Sequence, residues 1–150
     1  MESPAQESWE STIVVSKGGR RVAKIWAGYI AVYTNKNETF LKDSLHVDFY
    51  DHTGKHKSVL TSREGVVDNN TENLKAIGHV IVVSDSGIVL ETEELIWDNQ
   101  KQKIISELPV KFTTETDTVT GSSFISEPDL SNYEIRGARG YSKRMIPLEK

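Results

Sequence analysis

The chain has 150 residues, 37% of them hydrophobic, with no cysteine and a net charge of −4. That is one ordinary domain with enough apolar content for a core; it rules out disulfides, thiol catalysis and cysteine-held zinc. The acidic balance argues against nucleic acid as a partner, because phosphate binding needs concentrated Lys and Arg.

Val, Ile and Thr total 38, against 15 for Ala plus Leu, which favours strand over helix. No window carries a sustained 3.6-residue apolar stripe, so little helix is expected. Residues 1–12 read as a flexible polar tail, 13–137 as one β domain and 138–150 as a flexible basic tail. There is no signal peptide and no apolar run approaching about 20 residues; Met1 is read as a start that replaces a removed anchor.

A first strand is expected over 13–16, turned by Gly18 and Gly19. Residues 22–33 form a long strand with a bend or bulge at Gly28. A turn at Asn35, Lys36 and Asn37 leads into 39–50, which alternates through Leu41, Leu45, Val47 and Phe49. Gly54 marks a hairpin turn. The return strand over 57–62 breaks at Arg63 and Glu64 and resumes through Gly65, Val66 and Val67. The most regular stretch is 74–112: strand, turn at Asp85, Ser86 and Gly87, strand, turn at Asp98 and Asn99, strand. Glu93 and Glu94 shift the phase between Thr92 and Leu95, as a β-bulge would. Further on, 118–125 alternates, Glu127, Pro128 and Asp129 turn the chain, and 130–136 is the last expected strand.

The unit repeats. Val14, Val47, Val80 and Val110 lead successive copies at spacings of 33, 33 and 30. A fixed period built from strands marks a repeated β architecture. Alternation points Leu41, Leu45, Val47, Phe49, Leu74, Val80, Val82, Leu90, Ile104, Leu108, Val110 and Phe112 inward. By themselves these residues also fit the filled core of a closed sandwich.

Other chemistry finds little support. Asp51, His52 and His56 flank one turn, but their spacing matches no known metal-ligand pattern. Glu91, Glu93 and Glu94 share a strand, whereas glycoside hydrolysis needs carboxylates facing each other across a substrate. No nucleophile elbow or phosphate-cradling glycine loop is present. Trp9, Trp26 and Trp97 could stack on sugars, as in a carbohydrate-binding or adhesion module. Arg136, Arg139, Lys143 and Arg144 form a basic cluster toward the end of the chain that could meet phosphates, or simply aid solubility.

An ordered series of features resembles the LptC family, the periplasmic components of lipopolysaccharide export. These are Gly78-His79-Val80, the run Leu90, Thr92, Leu95, Trp97-Asp98, the lead Pro109-Val110, Gly121 with Phe124, and Asp129-Leu130. The resemblance covers roughly 14–140, and related OstA/LptA-type soluble bridge domains share much of it. It implies a non-catalytic protein with no cofactor. The implied fold is all-β: a twisted, V-shaped β-jellyroll of antiparallel strands, whose open apolar groove carries lipopolysaccharide acyl chains. The twelve inward residues would then line that groove, where each buried CH₂ contributes roughly 0.8 kcal/mol. The resemblance further implies partners: inner-membrane ABC transporter subunits that supply the energy, and an LptA-like bridge protein that pairs edge to edge. Ile13, Val14 and Val15 at one end, and Ser131, Asn132, Tyr133, Glu134, Ile135 and Arg136 at the other, are the candidate docking edges. The implied location is the periplasm, with an inner-membrane anchor that this stretch lacks.

Overall fold

The computed structural model describes residues 3–142. Thirteen antiparallel strands form one sheet, with no helix among the described residues. In chain order they are β1 (Gln6–Lys17), β2 (Arg20–Tyr33), β3 (Glu38–Tyr50), β4 (His56–Ser62), β5 (Glu64–Asp68), β6 (Leu74–Ser84) and β7 (Val89–Asp98). There follow β8 (Lys103–Ser106), β9 (Val110–Thr113), β10 (Asp117–Gly121), β11 (Ser123–Ser126), β12 (Glu134–Arg136) and β13 (Arg139–Ser142). The all-β, jellyroll-like architecture read from the sequence is the one observed.

One row of irregularities crosses the whole sheet. In β1 and β2, the pairing skips Glu10 and Gly28. In β3, Asp43 and Ser44 take φ of 58° and 80°, opposite the β2 register shift between Ala27 and Tyr29. Arg63 separates β4 from β5; its N–H donates to Gly78 O at 2.9 Å, and its carbonyl accepts from Ser44 N at 3.1 Å. In β6, Gly78 and His79 have φ of 87° and 49° and together oppose Glu93 of β7. The row continues through the β8–β9 break, through Ser122 between β10 and β11, and through Gly137 between β12 and β13. A bulge bends its strand and sharpens the local twist; aligned across neighbours, these bulges form a crease.

The crease divides the sheet into two wings. On one, the order is β1-β2-β3-β4-β6-β7-β9-β10-β13; on the other, it is β1-β2-β3-β5-β6-β7-β8-β11-β12. The first wing ends in turns at Gly18, Gly54 and Gly87, whose φ values of 60°, 89° and 93° are left-handed. Turns rich in asparagine end the second, where Asn37, Glu72 and Gln102 occupy φ of 58°, 62° and 54°. The repeat seen in the sequence is this zigzag from one tip, across the crease, to the other. Side chains from both wings meet in one apolar cluster.

Several sequence expectations move. β1 starts at Gln6, so 6–12 is strand rather than tail: Gln6 pairs with Val32 and Trp9 with Tyr29. At the other end, β13 pairs with β10 over residues assigned to the second tail; both segments are polar, and only long-range pairing orders them. The phase break in β7 is real, but the extra residue sits across from it, on β6 at Gly78–His79. The single strand expected over 118–125 is two, β10 and β11, split at the crease. The expected strand over 130–136 shrinks to Glu134–Arg136, because the chain turns through left-handed Leu130 and Asn132, φ of 69° and 50°, before pairing with β11 begins. Residues 143–150, with Lys143 and Arg144, lie outside the described residues.

Candidate functional site

The site is the interior between the wings and the mouth opposite the crease. Alternation along each strand points one set of side chains inward. Leu41, Leu45, Val47, Phe49, Leu74, Val80, Val82, Leu90, Ile104, Val110 and Phe112 are all at most 4% exposed and belong to the shared cluster. Leu108 does not join them. It lies 40% exposed between β8 and β9, because the crease interrupts alternation there and Ser106 Oγ caps Leu108 N at 3.2 Å. These side chains are withdrawn from solvent rather than lining an exposed trough, and Phe49 also walls the recess at the mouth.

Sequence reasoning left other interior residues off the groove set: Ile25, Leu60, Leu95, Trp97, Phe124 and Leu130, each at most 2% exposed. Leu60 was masked by its partners on the same face, Ser58 and Ser62, which the structure buries with their hydroxyls paired. Leu130 lies in the loop between β11 and β12, where no periodicity could reveal it.

Contacts across the seam close the mouth. Phe49 of β3 meets Trp97 of β7, and Phe112 of β9 meets Phe124 of β11, both with ring centroids 5.3 Å apart. Trp97 Nε1 is buried with no hydrogen-bond partner among the described residues. Ser58 Oγ donates to Pro128 O at 2.6 Å, and Lys57 Nζ lies 3.9 Å from Asp129. Lys17 Nζ donates to the carbonyls of Asn99 and Gln100 at 3.3 and 3.1 Å. Between these bridges lies a recess of about 500 Å³, with Val22, Phe49 and Pro128 among its walls and Arg20, His52 and Glu127 also lining it.

The residues weighed for other chemistry separate. Asp51 Oδ1 accepts from Thr53 Oγ1 at 2.5 Å, Thr53 N at 2.8 Å and Lys55 N at 3.0 Å. These bonds, the Thr53 hydroxyl first, hold its carboxyl down to about 2. His52 sits on the same turn and gives its carbonyl to Arg20. His56 faces away from both, toward Asp85 and Asp48, so the three do not converge on a metal. Glu93 accepts from His79 N at 3.3 Å, and Glu94 lies 3.6 Å from Lys75; they are structural partners of neighbouring strands. Trp26 is half-buried, and Trp9, 63% exposed, packs 5.5 Å from Tyr29. The Tyr29 hydroxyl bonds Glu7, which pushes the phenol up to about 12.

Both ends of the sheet are free edges. Among the described residues β1 pairs only with β2, so the outward-pointing amides along its twelve residues are unpaired. Ile13, Val14 and Val15 lie in its second half, with Val14 53% exposed and Val15 buried. At the far end, Glu134, Ile135 and Arg136 form β12, which among the described residues pairs only with β11. Ser131, Asn132 and Tyr133 precede that strand as loop.

No helix among the described residues is long and apolar enough to cross a membrane. A comparison with curated proteins gives no match. Among protein families, the one described as "Lipopolysaccharide-assembly, LptC-related" matches residues 10–135. That span runs from the crease residue of β1 into β12 and takes in both wings, so the chain belongs to the LptC family and has a role in lipopolysaccharide transport.

Proposed function

We propose that the protein is a non-catalytic relay, which takes lipopolysaccharide from an inner-membrane ABC transporter and passes it to an LptA-like bridge protein. The carrying observation is the seam: apolar side chains from both wings form one cluster running from β1 to β11, with a mouth along the side away from the crease. Acyl chains entering there would replace side chain–side chain contacts with side chain–lipid contacts, and burial of each CH₂ contributes roughly 0.8 kcal/mol. Donor and acceptor would add as further strands at β1 and β12, using the amides those edges leave free. In this reading the protein acts in the periplasm, held by an inner-membrane anchor.

A photocrosslinking amino acid at Phe49 or Val82 tests the reading. Lipopolysaccharide adducts are expected at both, and none at Thr61, which is exposed on β4. Adducts with oligosaccharide at Trp9 alone, and none inside, would make the protein a sugar-binding module instead.

A further inference from the structure

The loop between β11 and β12 is built as a plug. It starts from the tip of one wing, where Glu127 lies 4.0 Å from Lys103, and reaches across to the other. Leu130 at its centre is fully buried in the shared apolar cluster, yet holds φ of 69°, a left-handed conformation that a branched side chain rarely adopts. The loop is tied mostly to itself. Leu130 N donates to Glu127 O at 2.8 Å, Glu127 N to Ser131 O at 3.1 Å, and Ser131 N to Asp129 Oδ1 at 3.0 Å. Two polar contacts fasten it across the seam, Ser58 to Pro128 and Lys57 to Asp129. Glu127, Pro128 and Asp129 also form part of the wall of the 500 Å³ recess at the mouth.

We infer that this loop is a displaceable plug, and that Leu130 occupies the place a fatty acyl chain takes when the seam fills. The inference rests on the lipid reading above. A self-bonded loop can lift as a unit, since its internal hydrogen bonds travel with it. What it gives up is one buried leucine, two polar cross-seam contacts and the packing of Tyr133 on Phe112, ring centroids 4.5 Å apart. What it gains is release from a disfavoured backbone conformation, while the incoming chain restores the lost apolar contact. Once the loop lifts, the recess beside Phe49 and the space left by Leu130 join into one slot.

The test uses the full chain, 11-(dansylamino)undecanoic acid as probe, and amide hydrogen exchange. The probe should speed exchange at Leu130 and Ser131 at least tenfold while the core strands stay protected. Ser58→Ala removes the bond that ties the loop to β4 while keeping the apolar core side chains, and should bind the probe several-fold tighter than wild type; Leu130→Ala should bind at least tenfold tighter. Ser58→Ala keeps the test valid if Leu130→Ala fails to fold. If the probe binds but exchange in the loop is unchanged and Ser58→Ala binds within twofold of wild type, the plug is refuted and the lipid reading stands. If the probe binds none of the three proteins, both fall.

Discussion

Phe49 stands edge-on to Trp97 across the seam, with ring planes at 66° and centroids 5.3 Å apart. The two rings come from opposite wings, so this contact is part of what holds the sheet folded upon itself. Each is at most 1% exposed. Phe49→Ala should cost about 3–5 kcal/mol of stability, read by urea unfolding, because the ring leaves a cavity that β strands cannot collapse to fill. Phe49→Leu keeps most of the volume and should lose clearly less.

The crease makes a second prediction. A Cβ on Gly28 would lie 2.3 Å from the Asp43 carbonyl oxygen, a backbone atom that cannot swing aside. Gly28→Ala should therefore sit at the upper end of overpacking costs, about 3 kcal/mol. Gly54 meets nothing within 4 Å, and only its φ of 89° opposes a side chain, so Gly54→Ala should cost about 1–2 kcal/mol. Thermal melts of the two variants give the order.

His56 supplies the pH dependence. Its Nδ1 is 2.9 Å from Asp85 Oδ1 and its Nε2 is 2.9 Å from Asp48 Oδ1. With both ring nitrogens donating to carboxylates, the imidazolium is favoured, and the Asp85 bond chiefly raises the pKa above 6.5. A group whose folded pKa is raised contributes stability that is fully present below the unfolded value. That contribution is lost as pH rises through the folded value. The His56 ring signals should titrate above 6.5 by NMR, and Asp85→Asn should bring the midpoint down. A midpoint unmoved by Asp85→Asn would remove the assigned cause.

The free edges can be probed by proline, which removes a docking donor where the N–H points outward and a ladder donor where it points inward. A proline scan over Ile13, Val14 and Val15, and over Glu134, Ile135 and Arg136, should split into two alternating classes. Substitution at outward amides should abolish pairing with a donor or acceptor sheet while the melting temperature holds. Substitution at inward amides should lower the melting temperature. Partner capture that survives every outward proline would show that docking lies elsewhere.

How much of this was legible beforehand follows from what periodicity can carry. Alternation found the inward residues of β3, β6, β7 and β9, since a two-residue period reads directly as a face. It failed at Leu108, because the crease resets the phase there and the sequence marks it only by Pro109. It also failed at Leu130, buried from a loop by contacts with residues far away in sequence. The strand at 6–12 was missed for the same reason: QESWEST has no apolar alternation, and its order comes from pairing with β2. How far the interior is withdrawn from solvent could not be read at all, since inward residues are the same whether two wings touch or stand apart.

The row of kinks also decides which strands can be neighbours. At Glu10, the outermost strand changes direction partway along its length. A straight strand laid against it would match hydrogen bonds on one side of that step and drift out of reach on the other. Only a segment carrying its own bend at the matching step can lie flush over the full twelve residues. Shape thereby selects for other folded sheets of the same bent kind and against the flat, indiscriminate stacking that leads to fibres.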